Sequence, residues 1–120
     1  MDYKMQIQNS IDYIKKNLCE NLRLNEIAKQ AHFSEFHFHR LFKKDMGISV
    51  MKYVQNLRLE KAAESLENTD EKITDIALDC QFGSEESFSR AFKKLYGKTP
   101  RDYRKFKNQI KCSNIFSMAA

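Results

Sequence analysis

A chain of 120 residues, 42% apolar, with three glycines and one proline, has room for one compact domain or two very small units sharing a connector, and none for a third. Lysine and arginine outnumber aspartate and glutamate by 21 to 16, a formal net charge of +5, which favours a polyanionic partner without fixing a fold. The three cysteines, Cys19, Cys80 and Cys112, are odd in number and far apart, which excludes a disulfide framework and suggests a reducing compartment. No apolar run approaches the ~20 residues that cross a bilayer, and the first residues lack the apolar core of a signal peptide, so a cytoplasmic protein with no membrane partner is expected.

No stretch alternates polar and apolar residues for long, so the periodicity supports an all-α chain. Ile7, Ile11, Ile14 and Leu18 recur at helical spacing and predict a first helix over residues 5–18. Leu24, Ile27, Ala28 and Ala31 mark a short second helix, after which Ala31-His32-Phe33-Ser34 must turn the chain within three or four residues. That is a helix-turn-helix arrangement. Residues 34–44 then read as a helix with two incompatible faces. Phe38, Leu41 and Phe42 form an inward stripe, and Phe36, His39, Arg40 and Lys43 form a second stripe that points outward. Ser34 is placed to cap this helix, with Phe33 stapling onto Phe38, and Gly47 to end it. Ser49 can cap the next helix, expected over 50–66 and roughly 25 Å long at 1.5 Å per residue, with Leu59, Ala62, Ala63 and Leu66 on its apolar side.

A polar link at 67–72 precedes Ile73, Ile76, Ala77 and Cys80, and the pattern begins again. Ile27-Ala28 matches Ile76-Ala77, Phe33 matches Phe82, Phe38 matches Phe88, Arg40 matches Arg90, and Phe42-Lys43-Lys44 matches Phe92-Lys93-Lys94. Gly47 matches Gly97, and Tyr53 matches Tyr103. The offset grows from 49 to 50 inside the turn, which places one extra residue near Gly83, where an insertion is tolerated. In the second copy Phe88, Ala91, Phe92 and Leu95 are expected to face inward, and Glu86, Ser89, Arg90 and Lys93 outward. Thr99 as cap and Pro100 at the first helical position open a last helix over 100–111. The resulting division is a first helix-turn-helix subdomain over 1–48, a connector helix over 49–67, a second subdomain over 68–111 and a patternless tail over 112–120, with about seven helices in all.

Catalysis and metal binding have little support. His37 and His39 stand about 200° apart around a helix axis, and the sequence has no Cys-x-x-Cys or His-x-x-x-His pair. The neighbouring acids Glu85-Glu86 and Asp70-Glu71 sit near helix starts, where the macrodipole favours them. No phosphate loop, nucleophile elbow or dinucleotide motif is present. No enzyme activity, cofactor or metal is expected.

The outward stripes suit the major groove of double-stranded DNA, which admits one α-helix and shows a distinct donor and acceptor pattern for each base pair. Arg40 and Arg90 are the candidates for guanine O6 and N7, against a reading as solvated or salt-bridged arginines that their recurrence disfavours. His39 can donate to a base or the backbone, and Phe36 can lie against a thymine methyl. Ser89 and Ser87 can bond a base or a phosphate. Glu86 has two readings, acceptor from cytosine N4 or partner of the helix dipole. Lys43, Lys44, Lys93 and Lys94 suit phosphates, with Ser34 and Ser84 beside them at the helix starts.

From about Ile7 to Phe106 the chain resembles the DNA-binding domain of the AraC/XylS family of bacterial transcription regulators. The resemblance is most specific in Ile76-Ala77, Phe82-Gly83, Phe88-Ser-Arg-Ala-Phe-Lys-Lys-Leu-Tyr-Gly-Lys-Thr-Pro and Tyr103-Arg104. It implies two helix-turn-helix units joined by a long helix. It also implies a sequence-specific regulator, usually an activator that can contact RNA polymerase, often with a separate effector or dimerisation domain. By matched position, the base-contacting residues are Phe36, His39 and Arg40 in the first unit and Glu85, Glu86, Ser89 and Arg90 in the second. A bacterial regulator of this kind works in the cytoplasm, on the nucleoid. The chain departs from the family at a turn position that is commonly glycine: His32 and Gln81 stand there, so each has to adopt a left-handed conformation or a different turn.

The rival reading is a protein-interaction module that binds an acidic partner through the same helices. The repeat argues against it, because a duplex presents its groove again every turn and a protein groove has no reason to demand Arg and Lys-Lys twice. Two recognition helices on one chain predict an asymmetric site with unlike half-sites about one helical turn, ~34 Å, apart.

Overall fold

The computed structural model describes the backbone of residues 3–119 and the side chains of residues 3–111. Among them are seven helices and no strand: α1 (Lys4–Lys16), α2 (Leu24–Gln30), α3 (Glu35–Met46), α4 (Val50–Asn68), α5 (Ile73–Asp79), α6 (Glu85–Tyr96) and α7 (Pro100–Ala119). None of these helices is long and apolar enough to cross a membrane. The chain divides into two compact units, Met1–Arg58 and Leu59–Ala120, so that α4 contributes a half to each.

In the first unit the predicted stripes close on one core. Ile7, Ile11 and Ile14 of α1 meet Ile27 and Ala28 of α2, Phe38 and Phe42 of α3, and Val50 and Val54 of α4. Helix α1 stops at Lys16, short of Leu18, because Asn17 caps it: its backbone N–H bonds the Tyr13 and Ile14 carbonyls and its side-chain amide donates to Tyr13 O at 2.9 Å. Beyond the cap, Arg58 holds the loop between α1 and α2, with Nε donating to Leu18 O at 3.0 Å and Nη2 to Glu20 O at 2.7 Å.

The second unit repeats the plan with Leu59, Ala62, Ala63 and Leu66 of α4, Ile76 and Ala77 of α5, Cys80, and Phe88 and Phe92 of α6. Here Arg104 of α7 ties the end of α4 to the loop before α5, donating from Nε to Leu66 O at 3.0 Å and from Nη2 to Glu71 O at 2.7 Å. Ser49 and Thr99 cap α4 and α7, accepting at 3.2 Å from the N–H groups of Lys52 and Asp102. Helix α7 continues past residue 111 to Ala119, so the expected tail is helical backbone.

Leu95, expected inward, is 45% exposed. Its place is taken by Tyr96, whose ring stacks on Phe92 at 4.6 Å and lies 5.4 Å from Tyr103. Residues 88, 92 and 96 follow one another at i, i+4 and i+8, and this row, continued by Tyr103 from α7, completes the core without Leu95.

Both turns are built alike, and they resolve the missing glycine. The N–H groups of Phe33 and Phe82 reach the carbonyls of Ala28 and Ala77 at 3.2 and 3.0 Å, and those of His32 and Gln81 reach Lys29 and Leu78 at 3.1 and 3.0 Å. This pairing is the Schellman motif, whose C′ residue is left-handed. His32 and Gln81 occupy that place with φ of 60° and 65°. Left-handed backbone costs a side chain ~1–2 kcal/mol, while glycine loses ~0.5–1 kcal/mol in extra chain entropy. His32→Gly, at an exposed position, is therefore expected to stabilise the first unit by about 0.5–1 kcal/mol, read as a higher urea midpoint. A lower midpoint would mean that the imidazole itself supports the turn.

The extra residue does fall at Gly83, because the turns superpose with an offset of 49 through Phe82 and the capping serines with an offset of 50. It also changes the staple. Phe82 reaches Phe88, with ring centroids 5.4 Å apart. Phe33, next to its cap, instead lies 4.9 Å from the His37 ring and 5.5 Å from Tyr3.

Candidate nucleic-acid interface

Each outward face is fixed by the buried face behind it. In α3 the fully buried rings of Phe38 and Phe42 leave Phe36, His39, Arg40 and Lys43 exposed on the opposite side. Ser34 starts the helix, its Oγ accepting from the His37 N–H at 3.2 Å, and Gly47 ends it with φ of 80°. Phe36 is 72% exposed, and the Arg40 guanidinium carbon sits 5.7 Å from its ring centroid, a cation–π distance. With Leu24 and Glu35, Phe36 and His39 line a shallow groove of about 410 Å³. Lys43 and Lys44 stand in the last turn, where cations complement the helix dipole.

Helix α6 presents the same frame with different chemistry. Phe88 and Phe92 are buried, Glu85, Glu86, Arg90, Lys93 and Lys94 are exposed, and Ser89 is half-buried. Ser84 accepts from the Ser87 N–H at 3.1 Å, while Ser87 Oγ donates to Ser84 O at 3.0 Å. Ser34, Ser84 and Ser87 thus serve helix starts. Arg90 Nη2 donates to Glu86 Oε1 at 3.0 Å. Glu85 is turned the other way, its Oε2 accepting from Thr74 Oγ1 of α5 at 2.9 Å.

Of the sequence-derived candidates, one helix face brings together Phe36, His39, Arg40 and Lys43, and the matched face of α6 brings together Glu86, Ser89, Arg90 and Lys93. Lys44 and Lys94 lie a further 100° or so around each helix. Sequence reasoning missed Thr74 and His37. A hydrogen bond across eleven residues leaves no periodic signal, and the edge-on His37 contact depends on where the turn places Phe33. Each face sets basic donors, Arg40 and Lys43 or Arg90 and Lys93, on a buried aromatic support beside an apolar ring in α3 and an acceptor in α6, a surface that can enter a groove ≈12 Å wide and meet base edges or phosphates.

Known proteins share this arrangement. A family model described as a helix-turn-helix domain matches residues 27–105. An uncharacterised HTH-type transcriptional regulator of Bacillus subtilis, YbfP, is 44% identical over 106 residues, a match covering 88% of this chain and 36% of that protein. The chain therefore spans about a third of that relative. The crystal structure of a transcriptional regulator with an AraC-type DNA-binding domain from Chromobacterium violaceum superposes with a TM-score of 0.83 at 30% identity, over 88% of this chain and 95% of that one. The DNA-binding domain of AdpA, a global transcriptional factor solved with a target DNA, shares the fold at a TM-score of 0.76 and 23% identity, over 82% of this chain and 89% of that one. Two capped helix-turn-helix units with matched outward faces, together with these likenesses, show that the chain belongs to the helix-turn-helix family of AraC-type DNA-binding domains.

Proposed function

We propose that this chain is the DNA-reading part of a transcription regulator and binds double-stranded DNA sequence-specifically, with α3 and α6 each entering a major groove. The observation that carries the reading is the outward stripe of α3, in which exposed Phe36, His39, Arg40 and Lys43 stand over a fully buried row, with Arg40 and Lys43 matched by exposed Arg90 and Lys93 in α6. Arg40 and Arg90 take guanine edges, Phe36 takes a thymine methyl, His39 and Ser89 add single hydrogen bonds, and Glu86 accepts from an exocyclic amine. Lys43, Lys44, Lys93 and Lys94 take phosphates, joined by the hydroxyls of Ser34, Ser84 and Ser87 where the helix starts approach the backbone. Glu85 joins the base readers only by exchanging Thr74 for a base. The four-part division, 1–48, 49–67, 68–111 and 112–120, assigns these roles to the two subdomains around their connector. Contact with RNA polymerase, activation, an effector-binding part and action at the bacterial nucleoid are assigned to the whole regulator, in keeping with the greater length of YbfP.

Salt titration tests the reading. Each neutralised phosphate releases counterions, and with the four lysines each on one phosphate log K falls by about 3.6 per decade of salt. A flat response would mean that the lysines do not meet phosphates and would contradict the reading.

A further inference from the structure

The two units place the same arginine at the same position of the same helix and give it different neighbours one turn earlier. Arg40 lies over the ring of Phe36, so it keeps its full charge and gains a platform. Arg90 is paired at 3.0 Å with Glu86, which stands where Phe36 stands in the first unit. Both members of that pair are largely exposed, 76% for Arg90 and 83% for Glu86, so water and salt screen it and it opens readily. The neighbouring Glu85 is held on Thr74, which leaves Glu86 as the carboxylate on the outward stripe of α6.

Inside a major groove the two side chains make opposite demands. Guanine O6 and N7, adenine N7 and thymine O4 are acceptors and repel a carboxylate, as do the phosphates. Cytosine N4 and adenine N6 donate to it. On a sequence without an amino group in reach, Glu86 stays on Arg90 and cancels its charge, so the pair brings no net positive charge to the DNA. On a sequence that offers the amine, Glu86 transfers to it and Arg90 is released to a neighbouring guanine.

Resting on the DNA-binding reading above, we infer that Glu86 is a specificity-determining residue that withholds Arg90 from DNA lacking a correctly placed amino group. It makes the second unit a conditional reader. It acts chiefly by rejecting wrong sequences, a repulsive element of the kind that specificity requires. The first unit, with Phe36 in that place, binds with less discrimination and supplies more of the general affinity.

The test compares the protein with Glu86→Gln on a duplex selected by the wild type from a random library and on a scrambled duplex. Removing the carboxylate is expected to raise affinity for the scrambled duplex and to steepen its log K against log salt slope by about 0.9, one more neutralised phosphate. The ratio of selected to scrambled affinity is expected to narrow by ~5- to 150-fold, the range of one good base contact. Repeat selection should lose preference at one base pair beneath α6. Unchanged scrambled binding, or equal losses on both duplexes, would overturn the role of Glu86 while leaving the DNA-binding reading in place. A wild-type protein that prefers no duplex would overturn both.

Discussion

Phe92→Ala is expected to lower the stability of the second unit by about 3–5 kcal/mol, the usual range for truncating a buried phenylalanine. The ring is fully buried and is the hub of an aromatic group, with centroids 5.8 Å from Phe88, 4.6 Å from Tyr96 and 5.2 Å from Tyr103. These rings come from α6 and α7, so neither helix can close the void by moving alone. Burial also raises the Tyr96 phenol above its ordinary pKa, and the carboxylate of Glu60 adds to the effect. A small unit of about 60 residues has only ~3–9 kcal/mol of total stability, so the loss takes at least about a third of it and, at the lower end of that range, unfolds the chain beyond residue 59 and removes the contribution of α6 to DNA binding. Urea unfolding followed by circular dichroism measures the loss. A shift worth less than about 1 kcal/mol would mean that the packing around Phe92 is looser than these distances show.

Arg40→Ala is the second large effect, and it falls on binding instead of folding. The side chain is exposed and rests on Phe36, so truncation leaves the core of the first unit intact. Loss of a bidentate guanine contact costs ~1–3 kcal/mol on the preferred site and relaxes preference at one or two base pairs. Lys43→Ala, one turn on and also exposed, is expected to weaken preferred and random duplexes by the same factor and to flatten the salt slope by about 0.9. Titrations of both variants on both duplexes separate the roles. Equal losses from Arg40→Ala on the two duplexes would make it a phosphate contact.

Much of this was legible from residue spacing alone, and the exceptions have physical causes. The order of the helices, the caps at Ser34, Ser49 and Thr99 and the glycine ending α3 rest on local chemistry and stand where the sequence put them, and Ser84 and Gly97 repeat them in α6, whereas α1 ends before Leu18 and α4 and α7 run further than their apolar patterns. The insertion at Gly83 was legible because a repeat carries its own register. Leu95 was misplaced because helical period gives the direction of a stripe and not its width; the width was decided by Tyr103 arriving from α7. Sequence left two outcomes open at His32 and Gln81, and the Schellman hydrogen bonds select the left-handed one. The clamps of Arg58 and Arg104 were not legible at all, since each joins backbone carbonyls more than thirty residues away and a carbonyl has no sequence signature. In the interface, the outward stripes came from spacing, but the partners within them did not. Spacing puts Glu86 and not Glu85 on the outward stripe, but the hold of Thr74 on Glu85 had no signal in the sequence.

One chain is proposed to read two unlike half-sites with two recognition helices, and footprinting on the selected duplex tests this most directly. With one protein chain per duplex, protection is expected over roughly two turns on one face, in two stretches of different sequence about one helical turn apart. Inserting five base pairs between them, about half a turn, is expected to abolish protection of one stretch while the other remains. A short palindromic footprint that appears only with two chains per duplex would contradict the account.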